Sequence, residues 1–230
     1  FALEPNPLPV NDGPGHFSDR AAEFGLAAPS LDRLGWGAAF FDADCDGDLD
    51  LLVANGHVLP QSAEVGLSPW LQQSQLYEAV SEAGRLRYVD ATAHAGAGLA
   101  ALRSARGLAL ADADDDGDVD ALIVDLDHPP RLLENKSQRR GFWIAVRLEG
   151  TTSNRDAFGA RVAVRAGGIE RVREMRTTQG LYSSHDPRLH FGLGPVEEVE
   201  LVEVRWPSGA ITRVERPALN SVLALTEPAQ

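Results

Sequence analysis

The sequence predicts an all-β protein: partial propeller-type blades followed by a small β-sandwich or barrel-like unit. Three observations lead there. Apolar and β-branched runs of four to six residues recur along the chain, bounded by Gly, Asp, Asn and Pro, which is the signature of short strands. The segment starting Gly37-Ala-Ala-Phe-Phe-Asp-Ala-Asp returns from Gly107 as Gly-Leu-Ala-Leu-Ala-Asp-Ala-Asp, so a supersecondary unit is repeated. Charge is also segregated. Residues 1–138 hold 8 basic and 23 acidic residues, whereas 139–230 hold 13 and 11.

In the first unit, Ala38–Phe41 and Leu51–Ala54 flank an acidic loop, and Gln75–Val80 and Leu86–Ala91 complete a four-stranded blade. In the second, Leu108–Ala111 and Ala121–Val124 flank the matching loop, and Arg131–Asn135 continues it. Smaller echoes accompany the repeat: Phe17-Ser-Asp19 with Tyr88-Val-Asp90, and Leu76-Tyr-Glu78 with Leu132-Leu-Glu134. Two blades cannot close a ring that needs about four to eight. Either further blades lie elsewhere or another surface covers the open edges. The polar connector Asn135–Gly141 marks a boundary between a repeat domain, 1–138, and a C-terminal domain, 139–230. In the latter, strands are expected at Trp143–Leu148, Arg161–Arg165, Arg171–Arg176, Leu189–Phe191, Val199–Trp206, Ile211–Val214 and Val222–Leu225. The alternation in Val199–Trp206 slips between Leu201 and Val202, which predicts a β-bulge there.

The 230 residues carry 21 basic and 34 acidic side chains, a net charge of −13. That balance excludes nucleic acid and anionic membranes as partners, since both require a basic face. No apolar run is long enough to span a bilayer directly. A single cysteine excludes an internal disulfide framework and a thiolate metal cage. The chain begins at Phe1 and its one methionine is Met175, as expected of a processed product or fragment.

Eleven of the acidic residues sit in the two loops, which both read D-x-D-x-D-G-x-x-D. These are Asp42, Asp44, Asp46, Asp48 and Asp50, then Asp112, Asp114, Asp115, Asp116, Asp118 and Asp120. Carboxylates at positions one, three and five converge when the chain curls, and Gly47 and Gly117 allow the turn. The backbone carbonyl of Asp48 or Asp118 and the carboxylate of Asp50 or Asp120 would complete a cage of hard oxygens. Such a donor set favours Ca²⁺, one ion per loop. Two carboxylates about 4 Å apart repel by roughly 4 kcal/mol at an effective dielectric of 20, so the cation would add to loop stability. An EF-hand is excluded, because its twelfth position needs Glu and here holds Val53 or Ile123. Cys45 and Asp115, at position four, are expected to point outward, with Cys45 exposed.

At these residues the sequence resembles FG-GAP/VCBS repeats, the calcium-bearing blades of integrin-α-like propellers. Three further stretches, Asn154-Arg-Asp-Ala-Phe-Gly-Ala-Arg161, Leu189-His-Phe-Gly-Leu-Gly194 and Val204-Arg-Trp-Pro-Ser-Gly209, resemble the ASPIC/UnbV domain. That domain follows such repeats in cartilage acidic protein-like and many bacterial secreted proteins. The resemblance implies Ca²⁺ in both loops and no established catalytic residues.

Other motifs read as structural. Ser183-Ser-His-Asp186 has triad residue types, but triad members converge from separate places, so a polar turn is expected. His190 reads as a packed strand residue and His57 as part of a turn. Arg171–Arg176 reads as a solvated strand face, and Trp36, Trp70, Trp143 and Trp206 as core or interface anchors. Asn135-Lys-Ser137 matches the glycosylation sequon without implying its use. With no nucleophile–base pair, phosphate loop or cofactor fingerprint, the expectation is a non-enzymatic, calcium-binding recognition or structural module. It would be periplasmic or extracellular and associate with protein partners. A sharper form makes it an extrinsic subunit docked on a larger, membrane-bound complex. The alternative is an accessory protein of an oxidative or biosynthetic pathway.

Overall fold

A computed structural model describes residues 3–229 except Ala83, Arg139 and Thr177. Phe1 and, within the polar connector, Arg139 therefore lie outside the described residues. The protein is almost entirely β, with several sheets and none closed into a barrel among the described residues. An antiparallel hairpin comes first, β1 (Pro9–Gly13) with β2 (His16–Asp19). A four-stranded antiparallel meander follows: β3 (Gly35–Phe41), β4 (Asp50–Asn55), β5 (Gln75–Glu82) and β6 (Arg85–Asp90). The second repeat forms the same meander one strand shorter: β7 (Ala105–Ala111), β8 (Asp120–Asp125) and β9 (Arg131–Leu133). Here β9 stops at Leu133, short of the expected Asn135. Asn135 is diverted because its side-chain amide donates to the carbonyls of Ala43 (2.7 Å) and Val119 (3.3 Å).

The smaller echoes have a structural basis. Asp19 and Asp90 each accept a hydrogen bond from the backbone N–H two residues on, at Ala21 and Thr92. The strand-like run Leu51-Leu-Val-Ala54 is apolar throughout because β4 is covered on both faces. Leu52 and Ala54 pack with Ala39 against Leu108, Leu110, Ala121 and Ile123 of the next sheet. Leu51 and Val53 pack with Tyr77 and Ala79 against Ala21 and Leu26 of the N-terminal segment. The two sheets touch closely at Gly37, where a Cβ would lie 2.7 Å from Leu108 Cβ and 2.8 Å from its nitrogen.

All seven strands expected in the C-terminal half are present. They are β10 (Phe142–Glu149), β11 (Arg161–Ala166), β12 (Ile169–Glu174), β13 (Leu189–Gly194), β14 (Val199–Arg205), β15 (Ile211–Glu215) and β16 (Ser221–Thr226). They form a sandwich of two sheets, ordered β13-β10-β16 and β12-β11-β14-β15. Its core is made by Ile144 and Val146, Val162 and Val164, Phe191 and Leu193, and Val202 and Val204. The bulge falls one residue earlier than the alternation predicts. Arg165 opposes Leu201 and Ala166 opposes Val199, so Glu200 is the extra residue.

The far end of the sandwich is closed by Glu227. Its carboxylate accepts the consecutive N–H groups of Thr151, Thr152 and Ser153 at 2.7–2.9 Å and the hydroxyls of Ser153 and Ser208. Burial by itself would raise its pKa, but hydrogen bonds from Ser208, Ser153 and Thr151 prevail and hold it at about 2.

Two outcomes follow from this packing. Gly37→Ala should cost about 1–3 kcal/mol in urea unfolding, as expected for overpacking against backbone that cannot retreat; an unchanged midpoint would refute the close approach. Glu227 has a folded pKa below its unfolded value, so its contribution is complete above about pH 4.5 and is lost as pH falls toward 2. Glu227→Gln should therefore lower the melting temperature at pH 7, with the gap to the parent protein closing on acidification. Parallel melting curves across that range would contradict the clasp.

Candidate metal centre

The two acidic loops, between β3 and β4 and between β7 and β8, match in all but one of their bonds: Asp42 Oδ1 accepts from Asp46 N–H (3.1 Å), whereas Asp112 Oδ1 has no hydrogen-bond partner. Position four is left-handed in both, with φ of 60° at Cys45 and 59° at Asp115. Position six is the glycine the motif requires, with φ of 97° at Gly47 and 93° at Gly117. At position one, Asp42 and Asp112 accept from the N–H of Gly47 (2.8 Å) and Gly117 (3.1 Å). Position-three Asp44 and Asp114 accept from the N–H of Asp46 and Asp116. Position-five Asp46 and Asp116 accept, at 2.9 Å, from the N–H of Asp48 and Asp118. Position nine is braced on both oxygens. Asp50 accepts from Ala43 and Ala79, and Asp120 from Ala113 and Asn135.

These bonds hold the carboxylates together against their own repulsion. Oxygens of Asp42, Asp44 and Asp50 lie within 4.8 Å of one another, as do those of Asp112, Asp114 and Asp116. Within that distance the first group leaves out Asp46 and Asp48, and the second leaves out Asp118 and Asp120. Asp42, Asp44 and Asp50 are only 4, 8 and 6% exposed. Burial, reinforced by the neighbouring aspartates, pushes Asp42 up to about 7 and Asp50 up to about 6, although backbone hydrogen bonds oppose it. Asp112 is raised by burial too, with Arg188 opposing, and its Oδ1 is buried without a hydrogen-bond partner. Hard, converging oxygens, buried in the first turn and including one buried orphan, Asp112 Oδ1, in the otherwise more exposed second, suit an oxygen-ligated divalent cation.

The C-terminal sandwich closes over both loops, a feature the sequence reading missed. On the first, Gly194 N–H donates to Cys45 O (2.9 Å) and Arg140 N–H to Asp44 O (2.6 Å). The Arg140 guanidinium reaches Asp44 Oδ2 (2.9 Å), Asp46 Oδ2 (3.7 Å) and Glu78 (2.7 Å). On the second, Arg188 donates to Asp112 O and Asp115 Oδ1, both at 2.6 Å. His190 Nε2 lies 3.0 Å from Gly117 O, and its ring stacks on Trp143. Strand β13 thus touches one loop through His190 and the other through its glycines. A Cβ at Gly192 would sit 1.8 Å from Asp42 Oδ2. The Leu189–Gly194 motif is therefore built to accept the acidic turns, and its glycine was the available signal.

Several expectations change here. Cys45 is not exposed; it is fully buried against Trp143 and Ala145, because the sandwich covers the first loop. Its counterpart Asp115 does face outward, toward Arg188. Nor is Arg171–Arg176 a wholly solvated face. Arg171 Nε donates to Gly47 O, and Arg173 lies over the Phe191 ring, leaving Arg176 exposed beside Glu174. Ser183–Asp186 is a polar segment that pairs with the free edge of β7. Ser183 Oγ and His185 Nδ1 accept from the N–H of Leu108 and Leu110, and Asp186 N–H donates to Leu110 O. His57 is buried in a turn, its Nδ1 accepting from Leu59 N–H. Trp143 and Trp206 are buried, Trp36 stacks under Arg106, and the sequon residue Asn135 is partly buried.

The fold and loops define an all-β protein in which a C-terminal sandwich is seated on two acidic repeat turns. Residues 150–230 match the family model described as ASPIC and UnbV, so the chain carries that domain at its C-terminal end. No curated protein matches the chain.

Burial of Cys45 under Trp143 is open to a direct check. The thiol should stay unreactive toward a disulfide reagent until the protein unfolds. Trp143→Ala should expose it and cost about 3–5 kcal/mol. Fast labelling of the unaltered native protein would show that the sandwich does not sit on this loop.

Proposed function

We propose that this chain is a non-enzymatic, calcium-stabilised interaction module whose N-terminal residues 1–138 are two FG-GAP/VCBS-type repeats and whose residues 139–230 form the second domain. The observation that carries the reading is the pair of matching carboxylate turns, the first buried and the second more open, with Asp112 half-buried and Asp114 and Asp116 exposed. Each would hold one Ca²⁺: Asp42, Asp44, Asp46 and Asp50 with the carbonyl of Asp48 in the first, and Asp112, Asp114, Asp116 and Asp120 with the carbonyl of Asp118 in the second. The ion would neutralise charge that burial makes costly, and so add its binding energy to the fold. Millimolar external calcium suits such loops, which favours a periplasmic or extracellular setting.

An associating role is supported by the outer face of the second sheet. In the first sheet, Ala39, Leu52, Ala54 and Leu76 pack against the next blade. Their repeat counterparts are Ala109, Leu122, Val124 and Leu132, and the last three are 39, 43 and 61% exposed. A face kept apolar and left bare fits a protein partner. The favoured setting is an extrinsic subunit docked on a larger, membrane-bound assembly. The alternative, an accessory role in an oxidative or biosynthetic pathway, draws less support. The cavity that gathers Asp42, Asp112, Arg173, Arg188 and His185 is only about 100 Å³, below the roughly 300–1,000 Å³ of typical ligand sites, and the roomier one of about 510 Å³ sets His94, Glu134 and Lys136 among mainly apolar side chains such as Leu52, Leu99 and Leu133.

Titration calorimetry tests the metal reading. Two calcium-binding events are expected, with Asp44→Ala removing one and Asp114→Ala the other. At a hundredfold excess over Kd, each filled site should add about 2.7 kcal/mol of stability, lost on chelation with EGTA. Magnesium, which demands a tighter octahedral shell, should substitute poorly. Identical melting with calcium and with EGTA would overturn the reading.

A further inference from the structure

The sandwich grips the two acidic turns mainly by their backbone. In the first turn, Gly194 N–H donates to Cys45 O, Arg140 N–H to Asp44 O and Arg171 Nε to Gly47 O. In the second, Arg188 donates to Asp112 O and His190 Nε2 to Gly117 O. Glycines on the sandwich side set the distance of approach. A Cβ at Gly141 would lie 2.4 Å from Cys45 O, one at Gly192 1.8 Å from Asp42 Oδ2, and one at Gly194 2.8 Å from Asp46 O. Trp143 reaches both turns at once. It packs on Cys45 in the first, and a Cβ on Gly117 of the second would lie 2.1 Å from its Cε2. Neither Trp143 nor His190 brings an oxygen ligand for a metal.

We propose that the C-terminal sandwich is a clamp that fixes both turns in their cation-binding shape, so that seating of the sandwich and loading of the turns strengthen each other. This inference rests on the calcium reading above. A turn free to uncurl would relieve the repulsion among its carboxylates by spreading them, and a cation would then have to gather them again. The main-chain oxygens at positions one, three, four and six meet the sandwich donors only while the turns stay curled, so the clamp opposes that spreading. Linkage makes the effect mutual: whatever affinity the seated sandwich adds for the ion, the ion adds for seating. Cations beside the turns act the other way, because Arg140 lies on Asp44 and Asp46, and Lys136 acts on Asp114 and Asp116. Those two side chains are 55 and 64% exposed, and such pairs are worth little and give way to solvent. The main-chain contacts and the indole are held by the fold, so the clamp outweighs the nearby cations at both turns. A role follows for the matched domain, since Arg171, Arg188, His190, Gly192 and Gly194 all lie within it.

The test is calcium calorimetry on single-site proteins, with Asp114→Ala leaving the first turn and Asp44→Ala the second. Trp143→Ala should weaken calcium binding by about five- to twentyfold in both backgrounds, the lower range of coupling between linked sites. His190→Ala should weaken the second turn alone, and His190→Gln, which can still donate to Gly117 O, should restore most of the loss. The histidine pair keeps the test decisive where Trp143→Ala does not fold. Val164→Ala, buried within the sandwich core, controls for general loosening of the domain and should leave both affinities unchanged. Calcium affinities unchanged by Trp143→Ala and His190→Ala, or weakened as much by Val164→Ala, overturn the clamp while leaving calcium binding intact. Absence of calcium binding in both single-site backgrounds overturns the calcium reading itself, and the clamp with it.

Discussion

Like charges forced together in two short turns are the constraint around which the rest of the molecule is arranged. Backbone N–H groups take one oxygen after another in each turn, and the position-nine carboxylates are clamped on both sides. The remaining oxygens point at one another in a partly dry environment, where repulsion is several-fold stronger than in water. Nearby residues are chosen accordingly. Glycines let the main chain bend, arginines approach from the sandwich, and Gly192 leaves room for an Asp42 oxygen.

Segregation of charge along the chain becomes intelligible in these terms. Most basic residues belong to the C-terminal half, and Arg140, Arg171 and Arg188 from that half all reach the acidic turns. The contact is more than electrostatic. Trp143 packs on Cys45, stacks on His190 and fills the space above Gly117, so aromatic packing and charge pairing coincide. Residues 183–186 meanwhile occupy the free edge of β7, removing an unpaired strand border that would otherwise invite aggregation. The sandwich therefore does for the incomplete stack part of what a neighbouring blade would do. What it leaves open is the outer face of the second sheet.

Strand positions were largely legible because their signals are local. Alternation marked each sandwich strand to within three residues at either end, and the repeat marked the inner strands of both meanders. The slip in Val199–Arg205 was detectable but not its site, since apolar periodicity reports the faces before and after a bulge and not which residue is extra. The strand ending at Leu133 was overextended because the bond from Asn135 to Ala43 spans 92 positions and leaves no local trace.

The acidic turns themselves were written in the chain. Their spacing, glycines and carboxylate types follow from i to i+2 and i to i+5 hydrogen bonds within a nine-residue segment, so sequence alone determined that the oxygens converge. Whether a side chain beside them is wet or dry depended on what folds back over the turn. Cys45 and Asp115 occupy the same position in the same motif, yet one is sealed beneath Trp143 and the other faces Arg188. That difference, like the seating of Ser183–Asp186 on a strand edge, was decided by tertiary structure, because burial is a property of surfaces brought together from distant parts of the chain.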